Sequence, residues 1–426
     1  MGFREAFFAC IEDRTDEIVE LTRQLIHVPT VNPPGEAYAD CARLIGTRLA
    51  KRGFEVVYER GHDAPGDSDR YPRLNIVARR EGRGPGPCVH FNGHIDVVEV
   101  GHGWTVDPFA AELREGRIYG RGACDMKGGL AAAIVAAEAL VDLRPDFRGA
   151  IEISGTVDEE SGGYGGVAHL ARKGFFSKPR VDHVIIPEPL NVDRVCLGHR
   201  GVWWAELEIH GRIAHGSMPF LGDSAIRHMG AVLERFERDL WPRLAERRTE
   251  MPMAIDGARA STMNVNSIHG GLGENFEGLP AAVVADSARM VIDRRFLVEE
   301  TLDQVQREIR DILEALVRER PGFRYDLREL WSVLPTMTDR EAMVVQAVSA
   351  EIAQVLGRPA EYVASPGTYD QKHIVRIGEL KECIAYGPGI LDLAHQPDEY
   401  VAVDDLVASA KILGASAWAL LSADVA

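Results

Sequence analysis

The chain has 426 residues, 46 % of them hydrophobic and 27 % charged, which is enough to bury a full core and to form more than one domain. Its formal net charge is −17. Such a surface repels phosphate backbones and anionic lipid, so nucleic acid and membrane are excluded as expected partners. Six scattered cysteines form no C-x-x-C pair, and residues 1–14 are broken by charge too early for a signal peptide. A cytoplasmic protein with reduced thiols is expected.

The elements, taken in order, begin with helical spacing over residues 4–27 (Phe7, Ile11, Ile18, Leu21, Leu25). Asn32-Pro33-Pro34-Gly35 closes that unit and a second helix follows over 36–52. Strand-like runs come next at Phe54–Tyr58, Leu74–Ala78 and Cys88–Asn92. An alanine-rich helix follows Gly128-Gly129, then strands at Ile151–Val157 and at Val184–Ile186, the latter bounded by Pro187. This alternation predicts an α/β domain, a mostly parallel sheet with helices on both faces. From Gly201 the texture changes to strands at Val202–Ile209, Met263–Ile268, Val283–Phe296 and Phe323–Trp331, with helices at Ser224–Leu240 and Glu299–Arg318. After Thr336 the α/β pattern returns. The expected organisation is a catalytic α/β domain over 1–199 and 332–426, interrupted by a smaller α+β domain over 200–331.

Five polar motifs fall where the α/β strands should end, which is where such sheets bind ligands. They are His94-Ile95-Asp96, the glycine-dense Gly120–Gly129 loop with Asp125, Asp158-Glu159-Glu160, Glu188 between two prolines, and His395 in Leu393–Glu399. Each alone is an ordinary polar turn or cap. Together they offer two imidazoles and several carboxylates, the donor set of a hydrolytic zinc or manganese site.

In that order and over nearly the whole length, the chain resembles the co-catalytic metal deacylases and exopeptidases. That family includes aminoacylase, acetylornithine deacetylase, succinyl-diaminopimelate desuccinylase and glutamate carboxypeptidase. The resemblance implies that His94, Asp125 and Glu188 hold one divalent ion, and that Asp125, Glu160 and His395 hold the other, with Asp125 bridging. The ions would be zinc or manganese, with cobalt possible. It implies Asp96 as the residue that orients a ligand imidazole and Glu159 as general base toward a metal-activated water.

Gly211–Pro219 resembles the family's lid motif, whose histidine reaches the partner subunit's active site and helps bind the oxyanion; the resemblance makes His215 that candidate and implies a homodimer through the inserted domain. Asn264 or Asn266, with Arg289, Arg294 or Arg295, resemble lid positions that contact a substrate carboxylate. Ser365-Pro366-Gly367-Thr368-Tyr369-Asp370-Gln371-Lys372 stands where relatives carry a Gly-Gly-Thr-Ser-Asp loop near the substrate, so Gly367, Thr368 and Tyr369 are binding candidates. There Tyr369 replaces a small residue, which is expected to reshape the pocket.

The implied activity is hydrolysis of the amide of a small, carboxylate-bearing N-acyl amino acid. The alternatives are a dipeptidase or carboxypeptidase, an aminohydrolase releasing ammonia from an aromatic acid such as a nitroanthranilate, and a non-catalytic metal-binding dimeric scaffold. Nucleotide chemistry has no support, since no G-x-x-x-x-G-K-[ST] loop is present.

Overall fold

Four parallel strands frame the first of two compact units. Side by side they run Ala150–Thr156, Cys88–His94, His183–Pro189 and Cys383–Gly387. Leu74–Glu81 and Glu55–Arg60 extend this sheet beyond Ala150–Thr156 as antiparallel strands. The computed structural model describes residues 2–271 and 282–423. The first unit comprises Met1–Gly198, Thr338–Val363 and Tyr369–Ala426, and the second His199–Met337 with Ala364–Thr368.

In the first unit the central strands are buried along their whole length. That is why they read as continuous apolar runs rather than alternating ones. The Gly128–Leu143 helix is buried on nearly every side, which matches its uniform alanine content. Gly129 shows how closely it approaches the sheet: a Cβ there would lie 2.0 Å from the Pro187 carbonyl oxygen. The Val403–Ser422 helix has the length and apolar composition of a membrane span, but it packs in this core beside Gly128–Leu143. Because the four strands are parallel, their carboxyl ends meet at one edge, and there the sequence places its polar motifs.

The second unit is a four-stranded antiparallel sheet ordered Thr262–Gly270, Ser287–Phe296, Gly201–His210, Arg324–Val333. The Leu302–Glu319 helix covers it with Val305, Ile309, Ile312, Leu313 and Leu316, a single stripe at helical spacing. Its start is fixed by a capping box between Thr301 and Gln304.

Several expected boundaries need correction, among them that of the Val283–Phe296 strand, which begins at Ser287. The run over 4–27 is two helices, Phe3–Asp13 and Thr15–Ile26, broken at Arg14. The expected Ser224–Leu240 helix is α-helical only to Arg235; Phe236–Leu240 continues it as a wider π-helical turn that leads to a short helix, Trp241–Glu246. Pro242 explains this, because it lacks an N–H and its ring clashes with the carbonyl four residues back. Finally, the strand expected to stop at Pro187 continues to Pro189, and its partner bulges between Ala385 and Gly387. An irregular ladder tolerates a residue that cannot donate.

Candidate metal centre and active site

His94 is the last residue of its strand. Its Nδ1 lies 3.0 Å from the backbone oxygen of Asp96, and its Nε2 lies 3.0 Å from Asp125 Oδ1 and 4.0 Å from Glu188 Oε2. Asp125 stands in the tight turn that opens the alanine-rich helix. Its other oxygen is 3.4 Å from His395 Nε2, which is itself 3.0 Å from Glu160 Oε1. Asp125 therefore sits between two imidazoles, each shared with one further carboxylate. Donor atoms of His94, Asp125 and Glu160 all lie within 4.8 Å of one another.

The electrostatics of this cluster match a cation site. Burial pushes the Glu160 carboxyl up to about 7, and burial with the Asp125 charge pushes Glu188 well above the carboxylate range. Burial opposes the charged form of His94, but Asp125, Glu188 and Asp96 outweigh it and raise the imidazole well above its ordinary value. Hydrogen bonds to Asp125 and Glu160 raise His395 to about 10. Against burial, hydrogen bonds from the two imidazoles hold the Asp125 carboxyl below its ordinary range, while Glu160, Glu188 and both imidazoles are pushed toward their protonated forms; a divalent ion would neutralise the excess negative charge that they face.

The three consecutive carboxylates at 158–160 divide into different environments. Asp158, at φ +64°, turns inward to Arg73 at 3.2 Å and to the Tyr38 hydroxyl at 3.1 Å. Glu160 meets His395. Glu159 accepts a hydrogen bond at 2.7 Å from Lys372 Nζ, which is only 2 % exposed. Asp96 holds this loop: Oδ1 accepts the Glu159 N–H at 3.2 Å, while Oδ2 accepts the Glu160 N–H at 3.1 Å and Asn32 Nδ2 at 2.9 Å. Asp96 thus meets His94 through its backbone oxygen at 3.0 Å, with its carboxylate 3.6 Å away. The Asp96 carboxylate, expected to orient a ligand imidazole, stands within ion-pair distance of the His94 ring while it also accepts the Glu159 and Glu160 amides.

In the second unit, His215 is exposed and its Nδ1 accepts the Ser217 N–H at 3.1 Å. A neutral ring so held carries its proton on Nε2, as a donor. Asn264 and Asn266 project from the same face of their strand, exposed and bonded to each other at 2.8 Å. The three arginines separate clearly. Arg294 is fully buried and paired with Glu300 at 2.7 Å and Glu308 at 3.6 Å. Arg289 is largely exposed, 3.9 Å from Glu206. Arg295 is paired with Asp293 at 2.7 Å. Gly367 donates to Ser365 Oγ at 3.2 Å, and Thr368 closes that unit's last segment.

Tyr369, the binding candidate expected to reshape the pocket, is a buried residue. It is 6 % exposed, and its hydroxyl donates to Gln371 Oε1 at 2.8 Å. Gln371 in turn donates to the Leu197 and Cys383 carbonyls, so the phenol is held in the packed interior of the first unit.

Sequence reasoning missed Lys372 and Arg200. Lys372 closes the very motif quoted above, but only the fold aims it at Glu159. Arg200 is 8 % exposed and among the described residues has no carboxylate at ion-pair distance. Its guanidinium reaches only the Pro366 and Ala260 carbonyls at 3.3 Å and Thr262 Oγ1 at 3.4 Å. Burial, and then the Arg295 charge, push it down to about 10. A half-satisfied buried cation is poised for an anion.

Comparison with known proteins places the chain in a family. The model of Peptidase family M20/M25/M40 matches residues 90–419. The chain belongs to that family. It is a metallohydrolase acting on carbon–nitrogen bonds. Among M20/M25/M40 relatives it is similar to a succinyl-diaminopimelate desuccinylase of Stenotrophomonas maltophilia, 32 % identical over 92 % of this chain and 96 % of the relative. The same-named protein of Thioalkalivibrio sulfidiphilus is 29 % identical over 93 % of this chain and 96 % of the relative. Among solved structures, human carnosine dipeptidase 1 shares the fold with a TM-score of 0.77, 17 % identity and coverage of 99 % and 100 % of the two chains.

Proposed function

We propose that this enzyme removes a carboxylate-bearing acyl group from an N-acyl amino acid, using two divalent ions held by His94, Asp125, Glu160, Glu188 and His395. The observation that carries this reading is Asp125 standing between His94 and His395, at 3.0 and 3.4 Å, with Glu160 and Glu188 on either side. Two imidazoles and three carboxylates suit zinc or manganese, and cobalt as well. Bound there, the ions would lower the pKa of water and polarise the scissile carbonyl.

Glu159 adjoins Glu160 in sequence, yet its carboxylate is turned to Lys372 rather than to an imidazole. It takes the proton of the attacking water and delivers it to the leaving nitrogen. Lys372 on Oε1 leaves the second oxygen for that task. Asp96 fixes the Glu159–Glu160 backbone, and His215 of the partner subunit offers an Nε2–H to the developing oxyanion.

The second unit carries the candidate contacts for a substrate carboxylate. Arg200 and Arg295 receive the substrate carboxylate, with Asn264, Asn266, Gly367 and Thr368 as polar contacts; Arg289 is the more peripheral cation. The desuccinylase relatives favour an acyl group that itself ends in a carboxylate, over a dipeptide. Exposed Ile213, Phe220, Leu221 and Ile226 on the second unit support a homodimer through that unit. We place the enzyme in the cytoplasm, in keeping with its acidic surface and scattered cysteines.

The test is hydrolysis by metal-loaded protein of N-succinyl and N-acetyl amino acids, dipeptides and aminobenzoates. Faster release of succinate than of acetate supports the proposal. Preferential cleavage of dipeptides, or ammonia from an aminobenzoate, overturns it.

A further inference from the structure

Two buried residues that offer no ligand atom tie together the loops carrying Asp125 and His395. Glu399 is fully buried. Its Oε1 accepts the backbone N–H of Cys124 at 2.9 Å and of Asp125 at 3.0 Å, and its Oε2 accepts Arg121 Nη1 at 2.6 Å. Arg121 is 1 % exposed. Its Nη2 donates to the carbonyl of His395 at 3.2 Å and to those of Val100 and Glu99 at 3.2 and 3.3 Å, while Nη1 also reaches the Gln396 carbonyl at 3.3 Å. The guanidinium lies over the Trp104 ring, 5.2 Å from its centroid.

The pair thus holds the amide of Asp125 from one side and the carbonyl of His395 from the other. Buried ion pairs add little net stability, because desolvation offsets their attraction. This one is incompletely satisfied as well, since Arg121 Nε is buried without a partner. Its geometry is spent on placement. Asp125 is needed by both proposed ion positions, but His395 serves only the one completed by Glu160. A change in the spacing of the two loops therefore acts first on that position.

We infer that the Arg121–Glu399 pair is a positioning device that sets the affinity of the ion position shared by Asp125, Glu160 and His395. The inference rests on the two-metal reading above. Its test uses the full chain and Zn²⁺ alone as probe. Wild type, Glu399→Gln and Arg121→Lys are loaded with zinc and equilibrated against graded chelator. Bound zinc is then counted by elemental analysis, with folding followed by circular dichroism.

The expected result is two ions in wild type and, in both folded variants, release of one ion at a free zinc concentration about 10–100-fold higher than in wild type, the range for residues that orient ligands. The second ion should move much less. Both ions held within twofold of wild type would overturn the inference. So would loss of fold in both variants, since the pair would then hold the domain and not the ligands. A wild-type chain that takes up no zinc would overturn the metal reading itself, and the clamp with it.

Discussion

Lys372 Nζ lies 2.7 Å from Glu159 Oε1, and both side chains are largely withdrawn from solvent. The pair joins a residue of the segment after Tyr369 to the acidic loop that follows the Ala150–Thr156 strand. Burial and the neighbouring charges of Glu159 and Asp370 act on this ammonium in opposite directions, and the charges prevail, so Lys372 stays protonated through neutral pH. It fixes one oxygen of the proposed base. Lys372→Met should lower kcat by about 10–100-fold with KM and zinc content unchanged, an effect within the range of proton-transfer catalysis. Lys372→Arg should restore part of the loss. Steady-state kinetics with parallel metal analysis decide it; an unchanged kcat removes Lys372 from the catalytic machinery.

Glu159→Gln keeps size and hydrogen bonding but cannot take a proton. Turnover should fall by about 10²–10⁴-fold with both ions retained. Retention of turnover within a few fold would rule out Glu159 as the base.

Metal uptake should release protons. His395, raised to about 10, and Glu160, raised to about 7, are both protonated to a large degree at pH 7 in the metal-free chain, whereas ligation requires neutral imidazole and carboxylate. Calorimetric titration of zinc in two buffers of different ionisation enthalpy should show at least one proton lost. The sign for stability follows. Raised folded values stabilise fully below the unfolded ones and lose that contribution as pH rises, through about 7 for Glu160 and about 10 for His395. The melting temperature of metal-free protein should therefore fall between about pH 5 and 10, and added zinc should reduce that fall.

Arg200 and Arg294 are both buried cations, but only Arg294 has its carboxylates. Arg200→Met should raise KM for a carboxylate-bearing substrate by about 10–100-fold, a loss of roughly 1.4–3 kcal/mol, in the range for a hydrogen bond to a charged group. It should leave the melting temperature unchanged or higher, because an unpaired buried charge is unfavourable. A drop in stability with unaltered KM would make Arg200 a structural residue.

Arg294→Met should act in the opposite way. Glu300 and Glu308 would keep only Arg247, which pairs with both. Removing one partner of a buried pair is destabilising by about 3–5 kcal/mol, and the remaining Arg247 should hold the loss below that range. Chemical denaturation measures this. A smaller effect than that of Arg295→Met would contradict the assignment of Arg294 as the structural member of the pair.

What the sequence determined by itself was the α/β pattern of the first unit. Buried parallel strands must be continuous apolar runs, and polar residues past their ends stand out against them, so both signals are local. His94, Asp125, Glu160, Glu188 and His395 are candidates on that ground, and the family resemblance supplies their proposed roles. Tertiary structure alone decided who faces whom. Lys372 reaches Glu159 across 213 residues of chain and Arg121 reaches Glu399 across 278, and no periodicity encodes such distances. It also separated Arg294, Arg295 and Arg289, which read alike as three cations on one strand. Strand alternation turns Arg294 inward onto Glu300 and Glu308 and leaves its neighbour outside. Tyr369 fell the same way, because the length of its side chain was visible in sequence but the buried Gln371 that takes its hydroxyl was not.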